Sequence, residues 1–184
     1  MALDADNVIV AANGKVFLAP DATPLPTDAT TALNVAFVEL GYVSDDGVEF
    51  TPEVTVEGIP AWQSLAPIRN EITEYALTAE MTLLEWKKQT LELYFGGGVF
   101  TDNLDDTWDF LLPKPGEQAV YAMVIEGHDG IERYRIVMDR VQLDDNGGLT
   151  FNKGVAAGLP VTIKALAGLT EGRPGAIYGD TSPA

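Results

Sequence analysis

Hydrophobic and polar residues alternate along two neighbouring stretches of the chain, which is the pattern of half-buried β-strands. Residues 53–57 alternate glutamate or threonine with valine, and residues 74–84 alternate polar or small residues with a largely apolar set. Between them lie residues 58–73, a segment much longer than the loop of an ordinary β-hairpin. The pattern predicts two antiparallel strands joined by a long irregular loop.

The predicted loop is unusually apolar. It contains Ile59, Trp62, Leu65 and Ile68 together with two prolines. Side chains of this kind need a surface on which to pack. Two interpretations are open: the loop folds back over the core of its own domain, or it forms an arm that lies on a neighbouring subunit.

The hydrophobic period changes from about residue 83. Over residues 83–95 most apolar side chains fall on one broad side of a helical projection. Thr82 and Glu85 match a capping box, and Gly96 to Gly98 supply a stop signal. We therefore predict one α-helix over about residues 83–95, docked on a sheet.

Turn residues separate several further strand candidates. Asn13-Gly14 is predicted to join residues 8–12 to residues 15–18, and the turn at 44–47 to join residues 37–43 to residues 48–50. The remaining candidates are residues 108–112, 119–126, 131–143, 149–151 and 159–166. The proline-rich residues 20–31 predict an exposed connection, and the residues beyond Gly168 a tail with Ile177 and Tyr178 as a contact point.

These elements predict a mainly β fold: an antiparallel β-sandwich or barrel with one flanking α-helix, a long β–β loop and extended terminal arms. A length of 184 residues suits one domain with a substantial core. The predicted organisation is a single domain over residues 1–184, with an N-terminal arm at about 1–35, a core at about 36–167 and a C-terminal tail at about 168–184.

Composition removes most catalytic chemistry. The chain has no cysteine and one histidine, His128, which lies in a predicted turn with no nucleophile near it in sequence. Phosphate-binding, dinucleotide-binding and zinc-binding motifs are absent. The acids Asp102, Asp105, Asp106 and Asp109 could suit calcium, but their spacing fails the EF-hand pattern, so a solvated acidic loop is the preferred interpretation. We expect no enzyme activity, no cofactor and no metal.

The charge is strongly acidic, with 28 acids against 11 bases and a net charge of −17. This balance repels nucleic acid phosphates, so a protein that grips DNA is not expected. The first 60 residues hold ten acids and one base. Solubility is the ordinary explanation of such an excess. No apolar run reaches the length of a membrane span and no signal peptide is evident, so we expect synthesis and assembly in a cytoplasm without membrane contact.

The order of these elements resembles the major tail proteins, or tail tube proteins, of long-tailed, siphovirus-type bacteriophages, especially phages of actinobacteria. The likeness covers roughly residues 40–166. It rests on an acidic strand, the apolar segment GIPAWQSLAPIRNEITEYA, the strand LTAEMTL, the glycine-terminated helix LEWKKQTLELYFGGG and the strands that follow.

The resemblance implies a structural virion protein that polymerises as stacked hexameric rings into the tail tube, through whose lumen DNA passes into the host without specific binding. The implied partners are further copies of the chain, a tape measure protein, and tail terminator and tail tip proteins. Two alternatives are kept: a terminator or baseplate-type ring protein, and a receptor-binding β-sandwich. A carbohydrate-active enzyme would need two facing carboxylates, which nothing in the sequence marks.

Two sets of residues follow as site predictions. Trp62, Leu65, Ile68 and Arg69 are predicted to make contacts between subunits in successive rings, because large aromatic side chains and arginine are enriched in interface cores. The second set is predicted to face the lumen, although the outer face of the ring is an equal candidate for some of its members. It consists of Glu53, Thr55, Glu57, Glu74, Thr78 and Glu80.

Overall fold

The structure, a computed structural model, describes residues 8–103, 106–169 and 172–180. Its strands are β1 (Asn13–Pro20), β2 (Val38–Glu39), β3 (Val43–Ala61), β4 (Ser64–Leu83), β5 (Val99–Asp102), β6 (Trp108–Leu111), β7 (Val120–Asp129), β8 (Glu132–Asn146), β9 (Leu159–Ala165) and β10 (Ala176–Gly179). One helix, α1 (Lys88–Tyr94), occurs among the described residues. The predicted mainly β fold with a single helix is confirmed.

The strands form one large antiparallel sheet and one small one. The large sheet has eight strands in the order β2-β1-β7-β8-β9-β4-β3, with β10 paired to β8. Within the described ranges, strands β5 and β6 pair only with each other. Strand β1 lies between β2 and β7, so the predicted N-terminal arm at 1–35 contains a strand of the main sheet.

The main core lies on one side of the large sheet, here called the core face. The residues directly paired across β4 and β9 on this face are fully or nearly fully buried, including Ala79 with Ile163 and Leu83 with Leu159. Helix α1 adds Leu91 and Leu93, and the β5–β6 hairpin packs its phenylalanines against the same cluster. These groups cover one stretch of the core face and leave the β3 end of the sheet open.

The opposite side of β1, β7 and β8 is covered by the connection that follows β1. A second cluster joins Ala122, Val124 and Val137 of the sheet to Phe37, with Leu25 and Leu33 packed against it. The connection at 20–31 has no regular structure, as predicted, but Ala29 within it is buried. It is therefore a packed strap across the sheet.

The helix is shorter than predicted, because residues from 83 belong partly to the sheet. Strand β4 continues to Leu83, whose partner in register is the equally buried Leu159. The helix therefore begins at Lys88 and not at about residue 83. The predicted capping box of Thr82 and Glu85 does not form. Glu85 instead accepts a hydrogen bond from the Tyr42 amide, and the Thr90 hydroxyl oxygen accepts one from the amide of Lys87, the residue before the helix. Hydrogen bonding to Lys87 and to the Tyr42 amide lowers the pKa of Glu85.

The predicted stop at the glycines is correct. Gly96, Gly97 and Gly98 have φ angles of 71°, 137° and 124°, which side chains disfavour. At Gly98 a Cβ would lie 2.6 Å from the ring of Phe110, so the close approach of the β5–β6 hairpin also requires glycine.

The predicted long loop at 58–73 is wrong. Residues 43–61 and 64–83 pair as one long hairpin whose turn is only residues 62 and 63. The prolines that suggested an irregular loop are compatible with this pairing. Pro60 lies on the edge strand β3, and Pro67 lies in the part of β4 that has no described pairing with β9. Backbone pairing between β3 and β4 therefore overrides the local preference of proline for irregular structure.

Several shorter predictions also need correction. Residues 44–47 form a register irregularity inside β3, not a hairpin turn, and Asn13-Gly14 lies within β1, so residues 8–12 form no strand. Strand β8 runs through the turn predicted at 144–148, and residues 149–151 are not a strand. The strands predicted at 108–112, 119–126, 131–143 and 159–166 are confirmed as β6 to β9. Strands β5 and β10 were not predicted.

One buried ion pair fixes the strap to the sheet. Arg135 of β8 is 4% exposed, and its Nη2 lies 2.5 Å from Oε1 of Glu126 on β7. Its Nη1 donates to the carbonyl oxygens of Asp28 and Thr31 at 2.7 and 3.0 Å. The hydroxyl of Thr31, followed by the amides of Thr31 and Thr30, holds the pKa of Asp28 well below its usual range. Residues 28–31 of the strap thus form a local turn, and the buried Arg135 guanidinium binds two of its carbonyl oxygens.

We predict that Arg135→Ala lowers the free energy of unfolding by about 3–5 kcal/mol, because it leaves the Glu126 carboxylate and two carbonyl groups without their buried cation. Urea unfolding of the purified subunit measures the change. Arg133→Ala, two residues along β8 and exposed, is the matched control and should change the value by less than about 0.5 kcal/mol. Equal effects of the two substitutions would contradict the assigned role of Arg135.

Candidate assembly interface

The β3–β4 hairpin projects well beyond the rest of the sheet. Among the described residues, β9 pairs with β4 from Thr78 to Leu83, and the outer part of the hairpin pairs only with itself. Every residue of β3 from Pro52 to Pro60 and of β4 from Ser64 to Tyr75 is exposed. We call residues 53–76 the distal hairpin.

One side of the hairpin is acidic, and we call it the polar face. Directly paired residues point to the same side of an antiparallel sheet. The register pairs Thr55 with Glu74 and Glu57 with Glu71, while Glu53 faces Ala76. All six residues predicted to face the lumen lie on this face, opposite the core face. Its six carboxylates are Glu49, Glu53, Glu57, Glu71, Glu74 and Glu80.

A β-bulge keeps the two ends of this face in line. Thr55 pairs with Glu74, but the next residue, Val56, pairs with Ile72, so Thr73 is an extra residue in β4. The bulge reverses the alternation in β4 and places Glu71 on the same side as Glu74. It therefore brings Glu71 opposite Glu57, and two like charges in this position repel each other. Arg69 offsets part of this repulsion, since its guanidinium lies 3.4 Å from the Glu71 carboxylate.

The other side of the distal hairpin is apolar, and we call it the apolar face. Val54 pairs with Tyr75 and Val56 with Ile72, and these four side chains are 50–66% exposed. They continue the row of Phe50 and Ala79 on the core face. The sequence analysis did not single out these residues as a contact surface, although their alternation with the acids is visible in the sequence.

The four residues predicted to contact other subunits lie together at the hairpin end, here called the tip. Trp62 is 98% exposed, Leu65 110% and Ile68 66%, and the Arg69 side chain is 70% exposed. The interpretation in which this segment folds back over its own core is therefore wrong. Such an exposed aromatic and aliphatic group is typical of a surface that another molecule covers.

A groove lies at the opposite end of the hairpin, beside the first residues of β3. Its cavity volume is about 950 Å³. Its apolar wall is formed by Val48 and Phe50 of β3, Ile125 of β7 and Ile136 of β8, which belong to the open end of the core face. We call it the base groove. Sequence reasoning missed it, because it is assembled from strands distant in the chain.

The acidic segment near residue 105 shows no metal site in the part of it that is described. No group of three or more histidine or acidic side chains suited to a metal occurs among the described residues; Asp105 lies outside them. The Asn103 amide instead donates to Thr107 and Asp109. No helix in the described ranges has the length and apolarity to cross a membrane.

Comparison with known proteins identifies the family to which this chain belongs. The model of a phage tail tube protein family matches residues 1–178. The chain belongs to the phage tail tube protein family. A search of curated proteins gives no match. The tail tube protein is thus a structural component of the virion whose family assembles from copies of itself, and this family is not normally enzymatic.

Proposed function

We propose that this tail tube protein is the major tail subunit of a long-tailed, siphovirus-type phage of actinobacteria, and that it polymerises as stacked hexameric rings whose lumen conducts DNA into the host. The family match supports the tube role over a terminator, baseplate-type ring or receptor-binding β-sandwich. The observation that carries the assembly proposal is the distal hairpin, in which every residue of β3 from Glu53 to Pro60 and of β4 from Ser64 to Tyr75 is exposed in the isolated chain.

Assembly covers what the isolated subunit leaves exposed. The tip presents Trp62 and Leu65 with almost no contact to their own chain, and β3 presents a long strand edge with no partner among the described residues. Open edges and large apolar patches both favour association with another chain. A contact between two different surfaces of one protein repeats from copy to copy, so it generates rings or filaments.

The polar face is the proposed lining of the lumen. Two of its carboxylates form ion pairs with bases. Lys164 lies 3.2 Å from Glu74, and Arg69 lies 3.4 Å from Glu71. An excess of carboxylates repels phosphates, so DNA can move past the surface without adhering to it. The tape measure protein is the proposed occupant of this lumen before ejection, with terminator and tip proteins at the two tube ends.

The proposed organisation assigns the whole chain to one tail tube domain. Residues 1–184 form a single unit in this proposal. Synthesis and assembly take place in the host cytoplasm.

We predict that Trp62→Ala raises the critical concentration for tube formation at least about tenfold, because loss of an aromatic interface anchor removes roughly 2 kcal/mol or more of contact energy. Pelleting of tubes across a concentration series measures this value. Ile131→Ala is the control, since Ile131 is 93% exposed in the β7–β8 turn. Circular dichroism should show both variants folded. Tubes forming from Trp62→Ala at the original concentration would remove Trp62 from the interface.

We predict that Glu53→Lys combined with Glu80→Lys allows tubes to form but reduces genome delivery, because lysines in the lumen bind passing phosphates. Delivery is measured as DNA entry into host cells by phage carrying the variant. The control variant, Asp102→Lys with Glu117→Lys, changes the net charge equally at exposed sites away from the polar face. If only the control impaired delivery, the polar face would not line the lumen.

A further inference from the structure

We infer that the base groove of one subunit is the receptor for the hairpin tip of another copy. This inference rests on the proposed function, because it requires that copies of the chain associate. It adds the surface that receives the tip, which the sequence did not predict.

The two surfaces are complementary in shape and polarity. The groove is a concavity of about 950 Å³ with Val48, Phe50, Ile125 and Ile136 in its wall. The tip is a convex end with three large apolar side chains. Pockets of this size with an apolar wall and a polar rim are typical binding sites for a small number of anchor side chains.

Charge also favours the tip as the occupant. The groove is lined by the acids Glu39, Asp45, Glu85 and Glu126 and by the lysines Lys15 and Lys87. Lys15 lies 3.0 Å from Glu39, and Lys87 lies 2.6 Å from Glu85. Arg135 pairs with Glu126, so Asp45 is the rim acid with no ion pair in the described chain.

The tip carries the matching charge. In a chain of net charge −17, residues 58–70 contain a single charged residue, Arg69, whose exposed guanidinium lies 3.4 Å from the Glu71 carboxylate. Docking the tip in the groove would bring this cation to the rim that carries the Asp45 carboxylate. An exposed interfacial pair of this kind contributes more to the choice of partner than to affinity.

Another exposed apolar surface fits the groove less well. Val99 and Leu111 pair on the outer side of the β5–β6 hairpin, and both are at least 60% exposed. This patch is flanked by Asp102 and Asp109. Its insertion would bring two carboxylates to the groove, whereas the tip brings Arg69 together with its partner Glu71.

The separation of the tip and the groove makes the contact intermolecular. Phe50 and Trp62 are twelve residues apart on β3, and a strand rises about 3.3 Å per residue, so the tip lies roughly 40 Å from the groove wall. A paired hairpin does not fold back over that distance. Each subunit offers one tip and one groove, so tip-to-groove contacts run head to tail and repeat at about 40 Å along the hairpin direction.

Cysteine cross-linking tests this contact, since the chain has no cysteine of its own. Leu65→Cys and Asp45→Cys change exposed residues at the tip and the groove rim. With a short bis-maleimide, assembled double variant should give a ladder of covalent species larger than a dimer. Each single variant should give dimers at most, because one thiol per chain cannot extend a ladder.

The matched control pairs Leu65→Cys with Leu112→Cys, since Leu112 is exposed beyond the β5–β6 hairpin. A ladder from the tip and groove pair, at least about fivefold above the control pair, supports the inference. Tubes in the microscope without that ladder, or with an equal ladder from the control, overturn the groove assignment and leave the tube function standing. Failure of the unmodified chain to form tubes overturns both.

A charge exchange gives a second measurement if the cysteine variants assemble poorly. Arg69→Glu should reduce pelletable tubes severalfold, and adding Asp45→Lys should restore them, because the exchanged pair is again attractive. Adding Asp102→Lys in place of Asp45→Lys should restore nothing. Equal rescue by both lysines would overturn the inference, since it would reflect net charge alone.

Discussion

The pairing of β4 with β9 is the interaction on which the rest of the structure depends. Six consecutive register pairs, from Thr78 with Lys164 to Leu83 with Leu159, place Ala79, Met81 and Leu83 against fully or nearly fully buried partners. A shift of one residue would turn every one of these side chains to the opposite side. This buried register sets which side of the hairpin is acidic and which is apolar, although the hairpin itself lies outside the core.

The same constraint explains the contrast between the two halves of the hairpin. Its inner half is held by β9 and by the core cluster, whereas the described backbone pairs of the distal hairpin all lie between its own two strands. An isolated two-stranded hairpin is marginally stable in water, so further contacts are needed to hold it. Within a tail tube family, other subunits are the natural source of those contacts. The exposed tip, apolar face and strand edge are thus consistent features of a subunit that completes its packing on assembly.

Sequence reasoning recovered the parts of the fold that local patterns encode. The buried runs that became β7, β8 and β9 were predicted, and the six residues of the predicted lumen set do share one face. The loop prediction failed because Pro60 and Pro67 suggested irregularity, whereas edge position and cross-strand pairing tolerate them. The helix start failed because residues 83–87 follow a strand whose end is decided by its partner in β9. The base groove joins residues from β1, β3, β7 and β8, so no local pattern could reveal it.

Negative-stain microscopy of the purified protein across a concentration series tests the central claim most directly. Long hollow tubes of uniform width are expected above a critical concentration, with an axial repeat of about 40 Å if successive layers are spaced by the hairpin. Particles that remain monomeric at every concentration, even with preformed tail tips added as nuclei, would contradict it.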